Sequence, residues 1–279
     1  MHRRLARFNH HRLTPVVTTT TDYPDDDEDV ALNRAYLSAE RLRIAKRASQ
    51  VPDEPDAFLA WFEDLKIVGP GQGDPLFQWL ATSATCEDFN WFLTQELAGE
   101  AGFDDLVALT QVKMPERAKM EMARNFWDEF GRGNKLGVHG TLLARVAAEL
   151  ALAPAIDEVV WESLALANLL VGLALDRRYA YQSVGALGVI EMTAPGRVDL
   201  VNRGLKRLGF SASTRHYYEL HASLDVIHSQ QWNREVLRPL VASDRRIAAC
   251  IAEGALMRLE AGQDCFCRYR IHFGLHNPL

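Results

Sequence analysis

Ser213-Thr214-Arg215-His216-Tyr217-Tyr218-Glu219-Leu220-His221-Ala222-Ser223-Leu224-Asp225-Val226-Ile227-His228 decides the reading of this chain. The stretch has no Gly or Pro. Its apolar residues Tyr217, Leu220, Leu224 and Ile227 recur at helical spacing, which predicts a helix. His221, Asp225 and His228 then fall at i, i+4 and i+7, stacked on a narrow arc beside the apolar stripe. Two imidazoles and a carboxylate turned inward are costly to bury without a partner. A metal ion is such a partner, and this mixture of nitrogen and oxygen donors suits iron, manganese or zinc. A solvated polar helix edge is the plainer alternative for either histidine alone.

The chain has 279 residues, 48% hydrophobic and 24% charged, enough for one large or two small domains with ample core. The longest apolar run, around residues 164–175, is interrupted by Asn168 and closed by Asp176-Arg177-Arg178, so it predicts a buried helix and no membrane span. The N-terminus carries Arg3, Arg4, Arg7 and Arg12 without an apolar segment, unlike a secretory signal. Cys86, Cys250, Cys265 and Cys267 show no disulfide or zinc spacing, and the cytoplasm is the expected compartment. Net charge is −6, and Asp22, Asp25, Asp26, Asp27, Glu28 and Asp29 account for it. The rest is near neutral, which excludes a nucleic-acid-binding surface. Residues 1–29, basic and then acidic, read as a flexible N-terminal arm, and residues 30–279 as the folded domain.

Helices are expected over residues 31–48 and 56–66, followed by a Gly/Pro loop over 69–75. Thr85-Cys86-Glu87-Asp88 signals a helix start. On that helix Glu96 lies among Phe89, Phe92, Leu93 and Leu97, and Glu100 follows one turn on. A helix from Pro115 to about Phe130 ends at Glu129-Phe130-Gly131-Arg132-Gly133, and the chain resumes at Val138-His139. The glycines predict a break or bulge that could bring Glu129 and His139 to one site. Residues 142–153 and 156–175 read as further helices. Glu191 ends the small and apolar run that starts at Val184, a poor surface position and a good buried ligand. Ala194-Pro195-Gly196 predicts a chain break, and a last long helix is expected from Pro239 to about residue 261. Residues 265–271 alternate enough for a short strand or extended tail. Eight or more helices with little strand predict an all-α domain.

The candidates thus run Glu, Glu-x9-His, Glu, His-x3-Asp-x2-His: Glu96 (or Glu100), Glu129, His139, Glu191, His221, Asp225 and His228. This order resembles the heme-oxygenase-like diiron oxidases and oxygenases, also called iron-containing redox enzymes. Local phrases add to it: Gln95-Glu96 with Phe103 downstream, Asn125-Phe126-Trp127-Asp128-Glu129-Phe130-Gly131, and Gly204-Leu205-Lys206-Arg207-Leu208-Gly209. The resemblance covers roughly residues 84–232. It is strongest to the N-oxygenating members, which carry an extra Glu ahead of the first His, here Glu129.

The resemblance implies a heme-oxygenase-like bundle of about seven core helices, with extra N-terminal helices here. It implies two Fe(II)/Fe(III) ions held by those seven residues, no heme, and dioxygen as co-substrate, activated through a peroxo-diferric state. The expected activity is oxidation of a small amine or amino acid-like substrate. A desaturase or decarboxylating alkene-forming oxidase on the same site is the alternative, and a non-catalytic helical binding module is an alternative of another class. An external electron donor, a small-molecule substrate and a second copy in a homodimer are the expected partners. Arg178, Tyr179, Tyr181, Arg197 and Tyr217 are candidate substrate-facing groups.

Overall fold

The computed structural model describes residues 1–15, 17 and 27–275, and among these it contains helices and no strand. Four helices lead in: α1 (His2–Leu13), α2 (Asp27–Ala48), α3 (Pro55–Val68) and α4 (Pro75–Thr82). Then come α5 (Cys86–Gly99), α6 (Phe103–Thr110), α7 (Glu116–Glu129), α8 (His139–Glu149) and α9 (Trp161–Leu175). The last four are α10 (Ala180–Arg207), α11 (Ala212–Gln231), α12 (Arg238–Ser243) and α13 (Arg246–His272). The expected all-α bundle is the architecture found.

Local chemistry places several starts. Thr85 caps α5 in a reciprocal capping box with Asp88, and Pro55 and Pro75 stand in the first turns of α3 and α4. Helix α9 is apolar all round and buried on nearly every side, which puts it inside the bundle. Helix α10 is the other interior element, packed against α4, α9, α11 and α13. Its approach to α13 depends on two glycines. A Cβ on Gly185 would lie 1.9 Å from the Ile251 carbonyl oxygen, and one on Gly254 would lie 1.7 Å from that of Gln182. No other residue permits backbones this close.

Three expectations are corrected. Ala194-Pro195-Gly196 does not break the chain, because α10 runs 28 residues straight through it. Pro195 has no N–H to give the carbonyl four residues back, which belongs to Glu191. Packing on both sides holds the helix together across that gap, and Thr193 Oγ donates to the Val189 carbonyl at 2.7 Å. Residues 265–271 are not extended but complete α13, with Cys265, Phe266 and Tyr269 facing the core at helical spacing.

The N-terminal arm is also partly ordered. Residues 2–13 form α1, which packs on α9 and α2 through the buried Leu5 and Phe8. Asn168, the polar break in the α9 sequence, accepts from Asn9 at 3.0 Å and donates to the His2 carbonyl at 3.0 Å. Two of the basic residues of the arm are paired: Arg7 with Asp157 at 2.6 Å, and Arg4 with Glu28 and Asp29 in the first turn of α2. The acidic run before Asp27 lies outside the described residues.

Candidate metal centre

Helices α7, α8, α10 and α11 bring six ionisable side chains to one place. Ser211 caps α11 by accepting from the Thr214 N–H, and the helix then carries His221, Asp225 and His228 inward. The segment Trp232–Leu237 directly after it winds as a π-helix, a form that concentrates at functional sites. Opposite stands α10, which presents Glu191.

The turn between α7 and α8 supplies the other two. Glu129 is the last residue of α7. Gly131, Arg132 and Gly133 all take positive φ, at 58°, 54° and 84°. For Arg132 this left-handed geometry costs roughly 1 kcal/mol, and its side chain folds back to pair with Asp128 at 2.6 Å. Two short 3₁₀ turns, Gly131–Gly133 and Lys135–Gly137, reverse the chain so tightly that a Cβ on Gly131 would meet the Gly137 backbone at 2.4 Å. His139 then opens α8 with its Nδ1 only 2.6 Å from Glu129 Oε2.

Two groups of donors result, and they share Glu129. One is Glu129, His139 and His221; the other is Glu129, Glu191 and His228; within each, the donor atoms all lie within 4.8 Å of one another. Asp225 is buried between the fields of Glu191 and Glu129. The contacts are close but are not hydrogen bonds. His139 Nδ1, His228 Nδ1 and Asp225 Oδ1 are buried and lack a hydrogen-bond partner, although Glu129 is 2.6 Å from the first and Glu191 Oε2 3.4 Å from the second. Donor atoms that crowd together without bonding one another point at a shared cation.

The electrostatics agree. Burial pushes the Glu129 and Asp225 carboxyls well up, with the Glu191 charge adding to both. Burial lowers His139 to about 4, helped by His228, and lowers His221 to about 4, helped by His139. Burial alone would lower His228 as well, but the Glu191 and Asp128 carboxylates outweigh it and leave it at about 9. These groups oppose one another's ordinary charge states, and a cation among them removes the conflict.

Outer contacts aim the donors. His221 donates from Nδ1 to the Tyr217 carbonyl at 2.7 Å, which leaves Nε2 free for the cluster. His228 donates from Nε2 to Asp128 at 3.1 Å, which leaves Nδ1 facing Glu191. Asn125 donates to Glu191 Oε1 at 2.5 Å. Asn125, Asp128 and Glu129 fall at i, i+3 and i+4 on α7, a spacing that could have revealed the first two as supports. Such partners fix ring orientation and tautomer in metal sites.

The first position, Glu96 or Glu100, stands apart from the other six. Glu96 and Glu100 both line the cavity beside the cluster, yet neither joins the two donor groups. Glu100 accepts from the Phe103 N–H at 3.1 Å, and its charge adds to the upward push on Glu129. Glu96 faces away, toward the Tyr269 hydroxyl and the charges of Arg258 and Arg197. One helical turn on α5 separates these two environments.

The cavity holds about 180 Å³. Of the candidate substrate-facing groups, Tyr217 and Arg197 line it. Arg178, Tyr179 and Tyr181 do not. They sit at the start of α10, ten to thirteen residues before Glu191 and so about 15–20 Å away along the axis. There Arg178 is spent on Asp176 at 2.5 Å.

The sequence matches the iron-containing redox enzyme family over residues 90–263. The chain belongs to that family. Every member of the two donor groups lies inside the matched span. A crystal structure from Shewanella denitrificans, described as a domain of unknown function with a heme oxygenase-like fold, aligns with a TM-score of 0.52 at 13% identity. The alignment covers 78% of this chain and 93% of that one, and shows a shared fold. No curated protein matches the sequence.

The donor set also fits the family's metal. Glu129, His139 and His221 make up two imidazoles and one carboxylate, the combination typical of non-heme Fe(II) oxygenases. No cysteine belongs to either group.

Proposed function

We propose that the protein is a non-heme diiron oxygenase that oxidises a small amine or amino acid-like substrate at nitrogen. The observation that supports this reading is the sharing of Glu129 by two donor groups, each of a kind that could hold an ion. Glu129, His139 and His221 would hold one iron, and Glu129, Glu191 and His228 the other, with Asp225 completing the set. Glu100 is the better placed of the two α5 carboxylates for the remaining position. Bound iron would supply the one-electron redox and dioxygen chemistry that zinc lacks.

The protein's own contribution is positional. Tyr217, Asp128 and Asn125 hold His221, His228 and Glu191 in their working orientations. The walls of Phe77, Phe92, Leu93, Leu166 and Phe266 keep the adjoining cavity apolar and limit water. Electrons would come from an external donor, in a cytoplasmic setting. No described helix is long and apolar enough to cross a membrane.

Iron loading under anaerobic conditions, followed by desalting and metal analysis, tests the first half of the reading. Two irons per chain are expected, and at most one would remove the diiron assignment. Oxygen uptake with amines and amino acids, read by mass spectrometry, tests the second half. Oxygen added at nitrogen is the expected product. An alkene product would replace N-oxygenation with the desaturase or decarboxylating chemistry.

A further inference from the structure

The cavity beside the metal centre has a second charged region that the donor set does not use. Its wall includes Arg197 from α10 and Arg258 from α13. Along α10 the cavity-lining face is Ile190, Glu191, Ala194, Arg197, Val198 and Val201, so one stripe carries both a metal-site carboxylate and a guanidinium. Six residues separate Glu191 from Arg197, about 9 Å along the axis. The cavity therefore has a metal end and an arginine end.

Arg258 makes no hydrogen bond and no ion pair among the described residues, and its Nε is buried without a partner. A guanidinium has five N–H donors and cannot shed its charge at neutral pH. Leaving one unpartnered in a partly buried wall is costly unless something answers it. Gly262 makes the arrangement possible, since a Cβ there would stand 2.6 Å from Arg258 Nη1. Arg197 is fixed more firmly. It donates to Thr193 Oγ at 3.1 Å and lies over the Phe77 and Phe266 rings at 5.9 and 5.6 Å. No carboxylate oxygen of the described residues comes within the 4.0 Å ion-pair distance of either arginine. Glu96, beside the Tyr269 hydroxyl, and Glu100 act on Arg258 only from farther off.

We propose that Arg197 and Arg258 form the docking site for the carboxylate of a small acid, whose other end lies at the metal centre. Two guanidinium groups without a contacting carboxylate call for an anion, and the planar carboxylate matches the guanidinium fork. A cavity of about 180 Å³ is close to the ~150 Å³ that accepts a benzene-sized molecule. The aromatic and aliphatic walls fit an apolar middle section. Burial, with the Arg258 charge adding, lowers Arg197 to about 9, and an anion beside it would act in the opposite direction. This assignment rests on the oxygenase reading only for which end of the substrate reacts.

Calorimetric titration of the full-length protein, both iron-loaded under anaerobic conditions and metal-free, tests the docking site. The probes are hexanoate, phenylacetate and the uncharged phenylacetamide. At least one acid should bind both forms, with phenylacetamide about ten- to hundredfold weaker than phenylacetate. Arg258→Met and Arg197→Met should each remove that preference, and Arg258→Lys should keep part of it. Arg258→Met should also raise Tm in the absence of acid, since an unpartnered charge is gone, whereas a structural arginine would lower Tm on removal. Equal binding of phenylacetate and phenylacetamide would overturn the proposal, as would acid binding untouched in both Met variants or absent throughout. Acid binding seen only with iron and unchanged in both variants would place the carboxylate on the metal, overturning the docking site while leaving the oxygenase reading in place. Failure to load iron, with arginine-dependent acid binding in the metal-free protein, would do the reverse.

Discussion

His139 Nδ1 and Glu129 Oε2 lie 2.6 Å apart although ten residues separate them, and both are buried. No continuous helix could place them so. The left-handed turn at Gly131, Arg132 and Gly133 does it by folding the chain back on itself. The same turn leaves Glu129 equidistant in role between two donor groups, one reaching α8 and α11, the other reaching α10 and α11.

That sharing makes the consequences of substitution unequal. Glu129→Ala removes a donor from both groups and should reduce iron bound after desalting to less than one per chain. His139→Ala touches one group only and should leave about one. Metal analysis of the two variants, loaded in parallel with the wild type, checks the difference. Equal losses in the two would mean that Glu129 is not shared.

Asp128 acts one step further out. Its carboxylate takes the Nε2–H of His228 at 3.1 Å and is itself held by Arg132 at 2.6 Å. Burial alone would raise the Asp128 carboxyl, but Arg132 and His228 together bring it below the ordinary range. Asp128→Leu should weaken metal affinity by about 10- to 100-fold, the usual effect of losing an orienting partner. Competition for Fe(II) with a chelator measures it. The helix content should stay the same, because Asp128 borders the core at the end of α7.

The close approach of α10 and α13 gives a prediction about stability. Gly254→Ala places a methyl 1.7 Å from a backbone oxygen that cannot swing away. The helices must separate, at a cost of about 3 kcal/mol or more, the upper range for overpacking. Gly196→Ala is the control: a Cβ there meets nothing within 4 Å, and the residue is exposed on α10. That variant should be neutral or more stable by up to about 1 kcal/mol. Denaturant midpoints compare the two.

What the sequence could reveal follows from how local each feature is. His221, Asp225 and His228 share one helix, so their spacing alone stacks them. Glu191 stood out because its neighbours are small and apolar. The Glu129 to His139 turn announced itself through its glycines, but its direction depends on three consecutive positive φ values. Arg258 was not legible at all, since on α13 it looks like any boundary residue until the facing wall of α10 is known. Glu96 and Glu100 could not be told apart, because neighbouring turns of α5 face different ends of one cavity. Likewise α1 resembled a solvated tail, because Asp157 and Asn168, which anchor it, lie more than 140 residues away. Pro195 misled for a related reason, since packing on both flanks keeps α10 whole where an isolated helix would end.

The docking of α1 should depend on pH through His2. Its ring is buried, stacked on Trp161 at 5.4 Å and edge-on to Tyr36 at 4.9 Å. Burial, aided by the positive amino terminus, lowers His2 from 6.5 to about 4. The native state therefore keeps the ring neutral while the unfolded chain takes up a proton near its ordinary value. Stability from this site is complete above pH 6.5 and is lost as pH falls from there toward 4, because the unfolded state binds the extra proton first. His2→Phe keeps an aromatic ring in the same pocket and has no proton to gain. Wild type should thus lose more Tm than His2→Phe between pH 6.5 and 4, and resistance of residues 2–13 to proteolysis should fall over the same interval. Parallel Tm curves for the two proteins across that interval would show that His2 does not govern the docking.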